Sequence, residues 1–220
     1  MEPILRNIET IDWITILVIT SILLLAIAKK VFYTRFLNFI ILPFNNKYIF
    51  MYNKKEKLVN WFHTFFTLFQ IINLSLFIFL TTKILIGPIE DTAMNPYTYL
   101  IIMGLLIIFL LLKVFLQLSN GFIFNTSKTI SNIIFKNLSY LNYSAIIMFI
   151  ANIILVYILK DSKTVIYISF LFILFINGIG WTTMLKNNQK FITANFFYFI
   201  LYLCALEIAP FVIIGSYLND

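Results

Sequence analysis

The chain is poor in charged residues, and this scarcity limits what it can be. Only 11% of its 220 residues are Asp, Glu, Lys or Arg, whereas 61% are hydrophobic and the mean hydropathy is +0.96. A soluble domain carries about 25% charged residues. A water-soluble fold is therefore excluded, and the composition is that of an integral membrane protein.

Cysteine and histidine are also scarce. Cys204 is the only cysteine, which excludes an intrachain disulfide and a metal cluster built on cysteines. His63 is the only histidine, so a zinc site is not expected. The sequence contains no P-loop or glycine-rich nucleotide turn, and no basic stripe interleaved with exposed aromatic residues. We therefore expect no metal ion, no cofactor and no nucleic-acid partner.

Long apolar runs make up most of the chain. A helix needs about 20 apolar residues to cross about 30 Å of hydrocarbon. Six stretches meet this requirement, namely residues 11–28, 59–82, 98–118, 139–159, 164–185 and 192–215. The longest hydrophilic stretch, 45–60, is too short to form a domain of its own. The sequence predicts an all-α integral membrane protein in which residues 1–220 form a single polytopic domain, a bundle of about six transmembrane helices.

Two further apolar segments are interrupted and are predicted to form short interfacial helices on the cytoplasmic side. The first lies within residues 29–58 and is broken by Pro43. The second follows the third span, where Asn125, Lys128 and Asn132 interrupt the run. In this second segment apolar residues recur at helical spacing, at Ile130, Ile133, Ile134, Leu138 and Leu141. That spacing is typical of a helix lying flat on a membrane.

Basic residues are distributed unevenly between the two sides of a six-span chain. One side has four, Arg6, Lys83, Lys160 and Lys163. The other side has twelve, Lys29, Lys30, Arg35, Lys47, Lys54, Lys55, Lys57, Lys113, Lys128, Lys136, Lys186 and Lys190. Cytoplasmic loops carry an excess of Lys and Arg. We therefore predict that the side with twelve is cytoplasmic and that both termini face outward.

The first apolar run has two interpretations. Residues 26–28 read Ala-Ile-Ala, which resembles a signal-peptidase site. However, the residues before the run are acidic rather than basic, and Lys29 and Lys30 follow it directly. These flanks favour a retained span over a cleaved signal peptide.

The last apolar run contains a carboxylate, in the sequence Tyr202-Leu203-Cys204-Ala205-Leu206-Glu207-Ile208-Ala209-Pro210. Ionisable residues inside a span are costly and often functional. Pro210 has no N–H to donate to the carbonyl of Leu206, so a backbone acceptor is freed beside Glu207. Glu207 is therefore a hydrogen-bonded structural joint, a group that handles protons or cations in transport, or a contact with a partner.

Depth narrows the candidate partners of Glu207, which lies roughly 12 Å from the outer end of its span at 1.5 Å per residue. Lys83 ends the second span and Tyr99 begins the third, both on the outer side. Lys113 lies near the cytoplasmic end of the third span, so a direct Lys113–Glu207 ion pair is disfavoured. We predict Glu207, Pro210, Lys83 and Tyr99 as the intramembrane polar site.

A second polar group is predicted at the cytoplasmic depth. His63, Thr67 and Gln70 share one helical stripe in the second span, with Asn73 nearby. Such a stripe should face other helices rather than lipid. Lys113 matches the depth of His63. The group is either a set of interhelical hydrogen bonds, with Lys113 extending to the headgroups, or a proton relay.

The run from Tyr202 to Pro210 resembles the C-terminal signature of an uncharacterised family of multi-pass inner-membrane proteins from gram-negative bacteria, catalogued as domain of unknown function 4271. The likeness extends over most of the chain in length and span pattern. The resemblance implies a bacterial inner-membrane location and singles out Glu207 and Pro210. It implies no reaction, ligand or partner.

Three classes of function compete. Small size and short loops favour a non-enzymatic subunit or scaffold of a larger envelope complex, whose partners are the lipid bilayer and other membrane proteins. The alternative is a small transporter or ion-coupled carrier that uses Glu207. An enzyme is not expected, because paired carboxylates, a metal set and a Ser/His pair are all missing from the spans.

Overall fold

The apolar runs in the described part of the chain fold into helices. A computed structural model describes residues 12–45, 47–52, 60–86, 96–123 and 125–187. Its elements are α1 (Asp12–Val31), α2 (Tyr33–Ile40), α3 (Lys47–Tyr52), α4 (Trp61–Ile86), α5 (Pro96–Ile123), α6 (Ser127–Ile153) with a π-helical turn (Ile154–Ile158), and α7 (Lys163–Asn187). Within these ranges the regular secondary structure is helical, and the remaining residues lie in turns, in bends or in irregular positions.

Local sequence accounts for several helix ends. Asp12 lies in the first turn of α1 and Lys29 and Lys30 in its last, as the helix dipole favours. Pro96 opens α5, where its missing N–H costs nothing. Asn125 and Asp161 adopt positive φ angles of 52° and 57° in the turns before α6 and α7. Short polar side chains of this kind tolerate the left-handed conformation better than other residues with a Cβ.

Five of the described helices are long and apolar enough to cross a membrane: Asp12–Val31, Trp61–Leu85, Pro96–Ile123, Thr129–Ile158 and Lys163–Lys186. They correspond to the first five predicted spans, with ends that differ by a few residues except in α6. The sixth predicted span, 192–215, lies outside the described residues. The described part of the chain is therefore that of an all-α membrane protein.

The separate interfacial helix predicted between the third and fourth spans is wrong. Residues 130–141 form the first half of α6, which runs without a break from Ser127. Polar side chains further along this helix are packed inside the protein, since Lys136 is 7% exposed and Ser139 and Asn142 are fully buried. The predicted span 139–159 is consequently the second half of a longer helix.

In the described part of residues 29–58, two short helices, α2 and α3, lie on either side of Pro43. α2 begins just after α1 ends, and the chain then turns at Leu42 and Pro43 before α3 begins. One side of this hairpin is buried, with Phe39, Leu42 and Tyr48 fully inaccessible. α2 and α3 therefore pack against the bundle on their apolar side.

Side-chain contacts define the directions of the packed helices. α1 and α4 are antiparallel, as three contacts along their length demonstrate: Trp13 with Phe79 at a ring-centroid distance of 5.4 Å, Ser21 with Asn73 at 3.2 Å, and Phe32 with Phe62 at 5.8 Å. α4 and α6 are parallel, with His63 against Phe135 at 4.6 Å, Phe69 against Phe149 at 5.7 Å, and the Asn73 carbonyl bound by Asn152 at 3.0 Å. α4 thus lies at the centre of the bundle.

Two large apolar clusters occupy opposite ends of the bundle. One contains Trp13, Phe79 and Tyr99 and is called the Trp13 end. The other contains Phe62 and Phe135, packs against α2 and α3, and is called the Arg35 end. The polar side chains of α4 and α6 lie between and within these clusters.

Close packing of α6 against α7 depends on Gly180. A Cβ built there lies 2.6 Å and 2.8 Å from two ring carbons of Tyr140. A Cβ at Gly178, one half-turn away on the same helix, meets no atom within 4 Å.

We predict that Gly180→Ala lowers stability relative to Gly178→Ala by about 1–3 kcal/mol, the usual cost of overpacking. Tyr140 is 2% exposed, so its ring is buried among other side chains. The measurement is the unfolding midpoint of the two purified variants in the same detergent. Equal midpoints would contradict close helix packing at Gly180.

Candidate functional site

The polar stripe of α4 is turned toward its neighbours. His63, Gln70 and Asn73 are buried, with exposures of 3%, 2% and 1%, and Thr67 is half-buried. Three of these four side chains therefore lie inside the bundle. Their spacing brings His63 and Gln70, seven residues apart, to the same side of the helix.

His63 lies in an aromatic pocket at the Arg35 end. Its Nε2 is 3.3 Å from the hydroxyl of Tyr48, and the edge of its ring meets Phe135 with centroids 4.6 Å apart. Its Nδ1 is buried and has no hydrogen-bond partner among the described residues. The hydroxyl donates or accepts according to the tautomer of the imidazole.

Arg35 is the charged residue of this end that the sequence does not single out. It lies on α2, is 5% exposed, and places its guanidinium carbon 4.7 Å from the ring of Tyr52, 4.8 Å from Phe62 and 5.8 Å from Tyr48. A guanidinium over aromatic faces is attracted to their negative potential. The aromatic residues at Phe32, Phe36 and Phe39 around Arg35 are the signal in the sequence that indicates a buried position.

A network of amides connects three helices at the middle of the bundle. The Asn73 side chain donates to the Phe69 carbonyl at 2.8 Å and to Ser21 of α1 at 3.2 Å. Asn152 of α6 donates to the Asn73 carbonyl at 3.0 Å. Asn73 is therefore a joint between α1, α4 and α6.

A second amide connection joins α6 to α7. Asn177 donates to Ser144 Oγ at 2.8 Å and to the Ile173 carbonyl at 2.8 Å. Ser144 in turn donates to the Tyr140 carbonyl. These asparagines act in helix association, and interhelical hydrogen bonds of this kind contribute about 0.6 kcal/mol each on average.

The residues predicted as partners of Glu207 lie at the Trp13 end. Tyr99 is 2% exposed, stacks obliquely on Trp13 at 5.5 Å, and donates its hydroxyl to Met103 Sδ at 3.6 Å. Lys83 is half-buried in the last turn of α4. Glu207 and Pro210 lie outside the described residues, so their contacts with Lys83 and Tyr99 stay a prediction.

Lys113 is half-buried on α5. The described contacts of His63 are with Tyr48, Phe62 and Phe135, all at the Arg35 end. A contact or relay between Lys113 and His63 stays a prediction.

Asn142 of α6 is a polar residue that the sequence reading did not single out. It is fully buried, and neither its Nδ2 nor its Oδ1 has a hydrogen-bond partner in the part of the chain that the structure describes. Gln70 Oε1 is also buried and has no hydrogen-bond partner among the described residues. A buried polar atom without a hydrogen bond costs free energy. The unsatisfied atoms of Asn142 and Gln70 therefore require an explanation.

Metal ligands are not grouped in the described ranges. No set of three His, Cys, Asp or Glu side chains comes together there, and the acids in those ranges are Asp12 and Asp161. The chemistry that these residues provide is hydrogen bonding between helices, together with a guanidinium held among aromatic rings.

Comparison with known proteins identifies one relationship. A search of curated proteins and a search of solved structures each found no match. The family model described as "Domain of unknown function (DUF4271)" matches residues 14–218, which is nearly the whole chain and includes every described helix from the first turn of α1. The chain therefore belongs to the DUF4271 family.

Proposed function

We propose that the chain is a non-enzymatic subunit or scaffold of a larger membrane complex. The observation that carries this proposal is the surface of α5. Only 6% of its span is buried, against 50% of the α4 span. α5 is also the most apolar of the described spans, with a hydropathy of 2.8.

The exposed side of α5 has a shape that suits another helix. Gly104 has open space where a side chain would project. Ile108, Leu111 and Phe115 follow it at helical spacing and are 56%, 66% and 66% exposed. A small residue beside large apolar ones lets a second helix approach closely, and helix association in lipid depends on such packing. We call this surface, Gly104 with Ile108, Leu111 and Phe115, the Gly104 face.

The interior supports an assembly role rather than catalysis. Asn73, Asn152 and Asn177 use their amide groups to hold described helices together. Reaction centres generally bring a nucleophile, a base and an acid into one site. The described interior is organised around amides and aromatic rings, so its chemistry supports a stable platform for partners.

We propose a bacterial inner-membrane location with both termini on the periplasmic side. The described helices place Lys29, Lys30, Arg35, Lys47, Lys136 and Lys186 toward the Arg35 end and Lys83, Lys160 and Lys163 toward the Trp13 end. This difference supports a cytoplasmic Arg35 end.

The alternative function is an ion-coupled carrier that uses Glu207. Its support is the carboxylate beside Pro210 in an apolar run, together with Lys83 and the buried Tyr99 at the depth predicted for it. A proline-freed carbonyl and a carboxylate are suitable ligands for a proton or a cation.

The subunit proposal predicts that Gly104→Leu reduces recovery of a stoichiometric partner in mild detergent by about tenfold, a change of about 1.4 kcal/mol. The leucine fills the space that a partner helix would occupy. Gly178→Leu is the matched control, because it also projects into open space but lies on α7. Affinity purification with quantitative mass spectrometry measures recovery. A wild-type chain that purifies alone would contradict the proposal.

The orientation predicts which engineered cysteines face the outside. In a Cys204→Ser background, Lys160→Cys should react with a membrane-impermeant maleimide in spheroplasts. Phe44→Cys, in the turn after α2 and 90% exposed, should react only after the membrane is permeabilised. The opposite pattern would reverse the orientation.

The carrier alternative predicts that Glu207→Gln abolishes proton or cation flux in proteoliposomes while the protein still inserts. Asp12→Asn is the control, since it removes an acid from the start of α1. Normal flux in Glu207→Gln would eliminate the carrier mechanism. Absence of flux in the wild type would leave the subunit proposal as the better account.

A further inference from the structure

The interface between α4 and α6 contains polar atoms that the described protein does not satisfy. Asn142 is 0% exposed and lacks a described partner for both its Nδ2 and its Oδ1. Because both atoms are unsatisfied, exchanging the nitrogen and oxygen of the amide does not remove the problem. Gln70 is 2% exposed and lacks a described partner for Oε1.

Helical geometry places Asn142 against α4. Phe135, Asn142 and Phe149 are spaced seven residues apart on α6, so they lie along one side of the helix. Phe135 contacts His63 and Phe149 contacts Phe69, both on α4. Asn142 therefore faces α4 between these two aromatic contacts.

The same geometry brings Gln70 toward Asn142. Gln70 is seven residues after His63, so it lies on the side of α4 that meets α6 at Phe135. Long side chains on a helix lean toward its N-terminus. The Gln70 amide is thus directed back along α4, toward the level of Asn142.

Aromatic packing closes this region on several sides. His63 and Phe135 meet at 4.6 Å on one side along the helix axes, and Phe69 and Phe149 meet at 5.7 Å on the other. Phe39 of α2 packs on Tyr143 of α6 at a centroid distance of 5.8 Å. A molecule held by Gln70 and Asn142 would be separated from the aqueous phase.

The charged residues around Gln70 and Asn142 favour a neutral ligand between these two side chains. The described acids, Asp12 and Asp161, lie at the start of α1 and in the turn before α7, away from the site. The nearest described charges along α2 and α6 are positive, on Arg35 and Lys136. A cation would therefore be repelled and would have no counter-charge. An anion would meet two amide oxygens and a single donor group.

We propose that Gln70 and Asn142 form a closed intramembrane binding site for a small neutral hydrogen-bonding molecule, namely water. One water molecule donates to Gln70 Oε1 and to Asn142 Oδ1 and accepts from Asn142 Nδ2. Buried waters in proteins typically make about three hydrogen bonds to polar groups that are otherwise unsatisfied. The site is thus a bridge between α4 and α6, distinct from the amide contacts that Asn73 makes with Ser21 and Asn152.

Water-edited solid-state NMR on the full chain in lipid bilayers tests this directly. With ¹⁵N-labelled asparagine, magnetisation from water should reach the Asn142 side-chain amide several-fold faster than the Asn73 amide. Asn73 is the matched control, because it is 1% exposed and donates to Phe69 and Ser21. Transfer to Asn142 as slow as to Asn73 would overturn the proposal.

A gadolinium chelate in the aqueous phase distinguishes a closed site from an open channel. It should broaden the amide of Asn38, which lies on α2 and forms an exposed hydrogen bond with Thr34. It should leave the Asn142 signal unchanged. Broadening of Asn142 to the same extent would overturn the closed site.

Variants test the bridge independently of the NMR assignment. Asn142→Leu and Gln70→Met each remove one side of the bridge, so their effects on the unfolding midpoint should not be additive. The double variant should shift the midpoint by clearly less than the sum of the single shifts. If Asn142→Leu fails to fold, Asn142→Ser replaces it in the cycle. Additive shifts would show that no molecule connects the two residues.

Discussion

The bundle depends on the need to satisfy polar groups where no bulk water is available. In hydrocarbon an unsatisfied backbone or side-chain group costs several kcal/mol, so helices form and their polar side chains turn inward. α4 shows the result. Asn73 bonds to α1 through Ser21, and its carbonyl accepts from Asn152 of α6. The position of α4 at the centre follows from these directed contacts as much as from apolar packing, which lipid offers to every helix.

At the Arg35 end, aromatic rings rather than amide hydrogen bonds stabilise a buried polar group. A guanidinium is held over the rings of Tyr52 and Phe62, and Tyr48 is shared between Arg35 and His63. The aromatic faces partly replace the hydration that Arg35 loses on burial. This arrangement fastens the α2–α3 hairpin to the first turn of α4. It also explains why short helices that lack the length to span a membrane have an ordered position.

Some of this arrangement is predictable from the sequence and some is not. A spacing of three or four residues identified the buried stripe of His63, Gln70 and Asn73, because periodicity is a local property. The prediction for the start of α6 is wrong because Asn125, Lys128 and Asn132 interrupt the apolar run, which favours a surface segment, whereas α6 is continuous from Ser127. Whether a polar residue in an apolar run faces water or a neighbouring helix depends on the register between helices. That register involves residues about 80 positions apart, as in Asn73 and Asn152, and local pattern does not contain it.

The burial of Arg35 is a second feature that the local sequence pattern does not predict. As one of the basic residues beside a span, it contributes to the prediction of orientation whether it is buried or exposed. Its burial depends on α3 folding back to bring Tyr48 and Tyr52 against it, which the spacing of α2 alone does not reveal.

The contrast between α4 and α5 gives the strongest reason to regard the chain as part of an assembly. α4 is occupied by neighbours on most sides, whereas α5 turns a nearly continuous apolar surface outward. Lipid can cover such a surface, but lipid does not require the space that Gly104 leaves between large side chains. A partner helix gains from that space, because close approach increases the van der Waals contact on which association in a bilayer depends. The contacts of α4 thus make the interior of the bundle rigid, and the Gly104 face gives this rigid bundle a surface to which a partner helix can bind.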